Sequence, residues 1–179
     1  MARIEPLAEP YPEAFARAMA ILMRGAPPLR LFTTLAKHER AWGKFTAGSM
    51  LDRGPLGLRE RELVIDRTTA RCGCEYEYGV HIRGFAEKAG IDEAQQRALV
   101  HGEADDPVWD EREAVLIASV DALLDTKRLT DGQWAALSAH FSEAEVLEIV
   151  QLTAFYHGVS LICGALDLPL EEGAARFPD

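Results

Sequence analysis

The sequence predicts an all-α protein, and three observations predict it. Apolar residues recur at helical spacing through nearly the whole chain. No alternating β-branched run marks a strand. Prolines away from the termini, together with glycines and capping residues, fall between the periodic stretches rather than inside them.

In chain order, "PEAFARAMAILMRG" places Phe15, Met19, Ile21 and Leu22 at helical spacing and stops at Gly25. The Pro27-Pro28 break precedes "PPLRLFTTLAKHERAWGKFTAGSML", a short helix followed by a longer one. In "GPLGLRERELVIDRTTAR" a helix starts near Leu58, with Leu58, Leu63, Val64 and Ile65 supplying apolar contacts. The next helix runs from about Cys74 to Lys88 and ends at Ala89-Gly90. "IDEAQQRALVHG" is capped at Asp92, "DPVWDEREAVLIASVDALLDTKRL" follows, and "TDGQWAALSAHF" is capped by Thr130. "SEAEVLEIVQLTAFYHGVSLICGAL", capped at Ser142, is about 24 residues or roughly 36 Å long at 1.5 Å per residue, and its apolar face calls for burial. "PLEEGAARFPD" reads as loop. Helix, short break, helix occurs at 58–89 and again at 108–165, without residue-for-residue similarity.

Composition narrows the function classes. The 179 residues suit one domain, 1–179, and 48% hydrophobic content argues against disorder. A formal net charge of −10 repels phosphate backbones and anionic lipid, so neither nucleic acid nor a membrane is an expected partner. Three cysteines do not make a secreted disulfide framework. No signal peptide is evident in "MARIEPLAEPYPEAF", and no stretch is expected to reach transmembrane length. A cytoplasmic location is the resulting expectation.

Chemistry concentrates in "RCGCEYEYGVHIRG", residues 71–84. If Cys74 starts a helix, Cys74, Glu77 and His81 fall within roughly 60° of one face, and Phe85 continues the stripe. Glu62 lies on the preceding helix, with Asp66 one turn further on, and an antiparallel pairing would bring Glu62 to the same groove. Singly, these are ordinary residues: a small core cysteine, a hydrogen-bonded core histidine, solvated glutamates. Together they are costly to bury unless they pair or do work. A metal site is not expected, because Cys72, Cys74 and His81 lack the second cysteine pair that structural zinc sites use. Disulfide chemistry prefers C-x-x-C, whereas Glu77 stands three after Cys74, and a Cys72–Cys74 bridge would be strained. Acid–base chemistry remains, since an imidazole and carboxylates in an apolar groove suit proton transfer.

"RELVIDRTTARCGCEYEYGVHIRGFAEKAGI" resembles the core motif of the carboxymuconolactone decarboxylase family, whose other branch is the alkylhydroperoxidase D-like proteins. That pattern has a glutamate, a cysteine twelve residues later, and a histidine seven after the cysteine; Glu62, Cys74 and His81 match it. Glu77 occupies the redox branch's resolving-cysteine position, and Tyr76 stands where that branch often has a second histidine. "CEYEYGVH" looks like the decarboxylase-like branch, and the similarity extends over residues 15–171, including Tyr156-His157. The resemblance implies an alkylhydroperoxidase D-like helical bundle, trimers or hexamers, and no metal or organic cofactor.

The resulting expectation is a cofactor-independent, lyase-like enzyme acting on a small carboxylated lactone or oxo acid. Its catalytic candidates are Glu62, Cys74 and His81, with Glu77, Tyr76 and Cys72 as further candidates and Arg59, Arg67 and Arg71 as substrate-binding cations. One alternative is a peroxiredoxin-type alkylhydroperoxidase or disulfide reductase using Cys74 with Cys72. A third is a non-catalytic helical assembly whose groove is filled by Tyr76, Tyr78 and Phe85.

Overall fold

In the computed structural model, which describes residues 2–50 and 52–179, every regular element is a helix. Met1 and Leu51, at the ends of two stretches read above, lie outside the described residues. The helices are α1 (Glu13–Leu22), α2 (Arg30–Leu35), α3 (Glu39–Ala47), α4 (Leu58–Arg71), α5 (Glu75–Ala89), α6 (Glu93–His101), α7 (Glu111–Thr126), α8 (Asp131–His140) and α9 (Glu143–Leu166).

Their boundaries follow local chemistry. Asp92, Thr130 and Ser142 each accept a hydrogen bond from the backbone three residues on, and the side chain there bonds back, closing a capping box. Asp110 and Glu113 do the same for α7, four residues later than the "DPVW" start of the periodic stretch. Gly90 ends α5 in the left-handed conformation, φ 67°.

Helix α4 is the hub, packing against α5, α6, α7 and α9. Its Leu63, Val64 and Ile65 join Leu99, Leu116, Ile117, Val120, Ile149 and Leu152 in a fully enclosed core. The same helix buries charge. Arg67, only 1% exposed, makes a bidentate pair with Asp121 at 2.7 Å for each bond. Its third nitrogen donates to the carbonyls of Ala98, Leu99 and Gly102, satisfying the open end of α6.

The turn between α4 and α5 sets up the site. Gly73 takes φ 65°, and the Cys74 amide donates back to the Thr69 carbonyl at 2.8 Å. So tight a turn makes the two helices antiparallel neighbours, with Glu62 about two and a half turns before the end of α4 and His81 a little under two turns into α5.

Helix α9 corrects one expectation. Its 24 residues are long and apolar enough to cross a membrane, by length and composition. Here one face packs on α4, α5, α7 and α8, while Leu147 and Leu161 remain 64% and 63% exposed. The C-terminal loop is also more than a tail. Ala175 bonds to the Gly79 carbonyl, so close that a Cβ on Gly79 would collide with the Ala175 carbonyl oxygen, and Phe177 packs its ring on Tyr78 at 5.0 Å.

Candidate active site

Glu62 and His81 meet across the α4–α5 interface, with His81 Nδ1 2.8 Å from Glu62 Oε2. Both side chains are buried, and His81 Nε2 lies 3.6 Å from Glu77 Oε1, one helical turn back. The imidazole is fixed between Phe85, at 5.5 Å, and the edge of Tyr156, at 5.1 Å and 90°. Burial by itself would lower the His81 pKa, but Tyr156, Glu62 and Glu77 more than offset it and hold the group well above its ordinary value. Burial pushes the Tyr156 phenol up to about 12, so it is neutral near pH 7 and the carboxylates carry the stabilisation of the imidazolium.

The dyad forms part of the wall of a cavity of about 610 Å³. Ile65, Phe85 and Tyr156 make the wall apolar, and Arg53 and Arg61 supply cations. Arg61 is engaged by Glu148 and the Met50 carbonyl, while Arg53 is exposed at the cavity and forms no ion pair among the described residues. No cysteine lines this cavity.

Cys74 faces a different cavity. It is the N-cap residue, as the sequence suggested, and it lines a separate cavity of about 300 Å³ with Cys163, Tyr76 and Leu168. A hydrogen bond from the Cys163 thiol, assisted by the Glu77 backbone amide and opposed by burial, lowers Cys74 to about 7. The same contact, with burial, raises Cys163. Cys72 borders a third cavity beside Leu124 and His157, and burial pushes its thiol up. All three cysteines are free thiols.

Several expected site residues are placed elsewhere. None of Arg59, Arg67 and Arg71, read above as substrate cations, lines the Glu62–His81 cavity, and each pairs with an acidic residue on α7. Arg59 binds Glu113 and the carbonyls closing α5, Arg67 is the buried pair described above, and Arg71 binds Asp125 at 2.8 Å. Tyr76 does not fill the groove: its hydroxyl accepts from the Leu31 amide at 3.0 Å and donates to Glu171. Tyr78 donates to the Gln96 carbonyl at 3.2 Å. Of the three groove-filling aromatics, Phe85 alone lines the cavity, which stays open.

Asp66, one turn along α4 from Glu62, is buried with neither carboxyl oxygen hydrogen-bonded among the described residues. Burial raises its pKa well above the ordinary carboxyl value, with His81 lowering it and Glu62 and Glu77 adding to the rise. Sequence reasoning missed Arg53, which lies outside the motif in the loop before α4, and its "DRG" context carries no recognisable signal. Among the described residues no three histidine, cysteine or acidic side chains converge to hold a metal ion.

Residues 36–121 match the model of the Carboxymuconolactone decarboxylase family, a narrower span than the 15–171 resemblance. No curated protein matches the chain. Among solved structures, an uncharacterized peroxidase-related protein from Silicibacter sp. TM1040 is similar at TM-score 0.82 and 19% identity, covering 99% of this chain and 96% of that one. An alkylhydroperoxidase AhpD core protein from Ralstonia eutropha JMP134 is similar at TM-score 0.82 and 18% identity, covering 96% and 93%. A variant of the debrominase Bmp8, in complex with 2,3,4-tribromopyrrole, is similar at TM-score 0.71 and 16% identity, covering 95% and 92%. At these identities the similarity establishes the fold, an alkylhydroperoxidase D-like bundle.

Proposed function

We propose that this chain, whose residues 36–121 match the carboxymuconolactone decarboxylase family model and whose fold is alkylhydroperoxidase D-like, is a cofactor-independent, lyase-like enzyme acting on a small carboxylated lactone or oxo acid. The observation that carries this reading is the 2.8 Å Glu62–His81 contact in the wall of an open, cysteine-free cavity.

Decarboxylation of such a substrate leaves a dienolate, which needs a proton returned to carbon. Glu62 holds His81 at Nδ1, leaving Nε2–H, with no partner nearer than Glu77 at 3.6 Å, to donate. The raised pKa keeps the imidazole charged near neutrality, so the donor is loaded before the substrate arrives. Arg53, free of ion pairs among the described residues, holds a substrate carboxylate at the cavity mouth. Phe85 and Tyr156 exclude water from one side of the imidazole, which strengthens the charge interactions inside.

Self-association accompanies this reading. The exposed Leu147, Val150 and Leu161 on α9 form an apolar face that suits burial against other copies in a trimer or hexamer, and light scattering at micromolar concentration tests it. The activity test is incubation of the purified protein with carboxylated muconolactones, following CO₂ release. Release lost in Glu62→Gln and His81→Ala supports the reading; no release from any carboxylated lactone or oxo acid overturns it.

A further inference from the structure

A cavity among the first three helices adjoins the acid–base cavity and has no role in the scheme above. Its volume is about 380 Å³, within the range of about 300–1,000 Å³ of small-molecule sites. Leu22 from the end of α1, Phe32 from α2, and Trp42 and Phe45 from α3 wall it. Trp42 and Phe45 stack at 6.3 Å and 21°, and Phe32 meets Trp42 at 5.7 Å and 61°, so the three rings make a corner. Phe15, which is buried, braces Trp42 at 5.2 Å. Trp42 and Phe45 are only half-buried, which leaves ring surface open to a further partner. Leu22 and Phe32 precede residues 36–121, so part of this wall lies outside the family match.

Two observations join this cavity to the one at Glu62 and His81. Asp52 lines both. A line of rings also runs between them: Phe45 meets Phe155 at 5.5 Å, Phe155 meets Tyr156 at 5.4 Å, and Tyr156 stands edge-on to His81 at 5.1 Å. Charge orients a molecule lying across the pair. Asp52 is the one charged side chain in the aromatic wall among the described residues, and it turns a carboxylate away. Arg53, next in sequence, lines the acid–base cavity and attracts it.

We propose that the aromatic cavity is the far end of the substrate site and binds an uncharged aryl group, carried by the same molecule whose carboxylated end lies at Arg53, Glu62 and His81. The proposal rests on the acid–base reading for the reacting end, and it narrows the substrate class to aryl-bearing carboxylated lactones or oxo acids. A planar ring stacks on Trp42 or Phe45 and meets Phe32 at its edge, completing the corner. An alkyl chain of equal carbon number gains the burial without the ring–ring contacts, so the site selects for a ring rather than for size alone.

The test measures binding, so it does not depend on turnover. Two series of 2-oxo acids are titrated into the full chain by calorimetry: straight-chain acids, and acids of equal carbon number ending in a phenyl ring, with the linker lengthened one methylene at a time. The expected result is an aryl-over-alkyl affinity ratio of roughly tenfold at the linker length that spans the two cavities. Aryl binding should also change the tryptophan fluorescence, and the change should disappear in Trp42→Phe, which keeps a ring at that position. Phe45→Ala removes a stacking face and Thr46→Trp fills the cavity, and each should bring the ratio close to one. Thr46→Trp removes no ring from the wall, so it reads the cavity even where Phe45→Ala does not fold by circular dichroism. Arg53→Ala should weaken both series alike and preserve the ratio. A ratio near one at every linker length, or an aryl preference that survives Thr46→Trp, would overturn the subsite. The two readings fail separately: CO₂ release with a ratio near one removes the subsite alone, whereas an aryl preference without CO₂ release supports the subsite and counts against the acid–base reading.

Discussion

The two cavities beside α5 hold reactive groups in different ways. At His81 carboxylates from two helices, Glu62 at 2.8 Å and Glu77 at 3.6 Å, favour the charged form. At Cys74 the neighbour in its cavity is a second thiol, Cys163, and burial opposes ionisation of both. The first arrangement suits moving a proton repeatedly with no net change. Residues that a one-dimensional pattern groups into one motif therefore divide into two sites facing different cavities.

The sharpest way to break that comparison is to disable one side and assay both. His81→Ala or Glu62→Gln is expected to lower kcat for CO₂ release by about 10²–10⁴-fold, as for loss of a general acid or its orienting partner. Cys74→Ser should leave that rate within a factor of a few, and a Cys74→Ser enzyme as inactive as His81→Ala would merge the two sites into one. Arg67→Ala should damage both sides equally by destabilising the hub, costing about 3–5 kcal/mol in denaturant unfolding because Asp121 and three carbonyls lose their partner. A loss under ~1 kcal/mol, less than a single good hydrogen bond, would contradict the structural role given to it.

Smaller effects sharpen the contrast. Arg53→Ala should raise KM for a carboxylated substrate roughly tenfold with little change in kcat, the size of one lost charge-assisted hydrogen bond. Asp66→Asn should stabilise the fold by ~1 kcal/mol near neutral pH. The folded chain holds the Asp66 proton more tightly than the unfolded chain does, so its stabilising contribution is complete below about pH 4 and fades as pH rises toward the folded value. The advantage of Asp66→Asn in thermal melts should therefore grow with pH, and a pH-independent difference would show that folding leaves the proton affinity of Asp66 unchanged.

Much of this was legible in the sequence because it is local. Helical period put Glu77 and His81 on one face, the caps at Asp92, Thr130 and Ser142 are read within four residues, and a tight turn at Gly73 makes a Glu62–His81 meeting a matter of counting. What was not legible depends on distant packing. Cys163 lies 89 positions from Cys74 in a long apolar helix, and nothing in its neighbourhood signals that the start of α5 lands beside it. Arg59, Arg67 and Arg71 looked available because their partners Glu113, Asp121 and Asp125 are each 54 positions away on α7. The terminal loop, irregular by composition, is held by Gly79, Glu75 and Tyr78 through contacts that no periodicity encodes.

The central claim is that Glu62 keeps His81 loaded as a proton donor. Nitrogen NMR titration of the imidazole, assigned among the five histidines with a His81→Gln control, measures this directly. A carboxylate-held imidazolium predicts that His81 remains protonated through pH 7, above its ordinary value of about 6.5, and loses its proton at distinctly lower pH in Glu62→Gln. A neutral His81 at pH 7 in the unmodified protein, or one titration curve shared by both proteins, would contradict it.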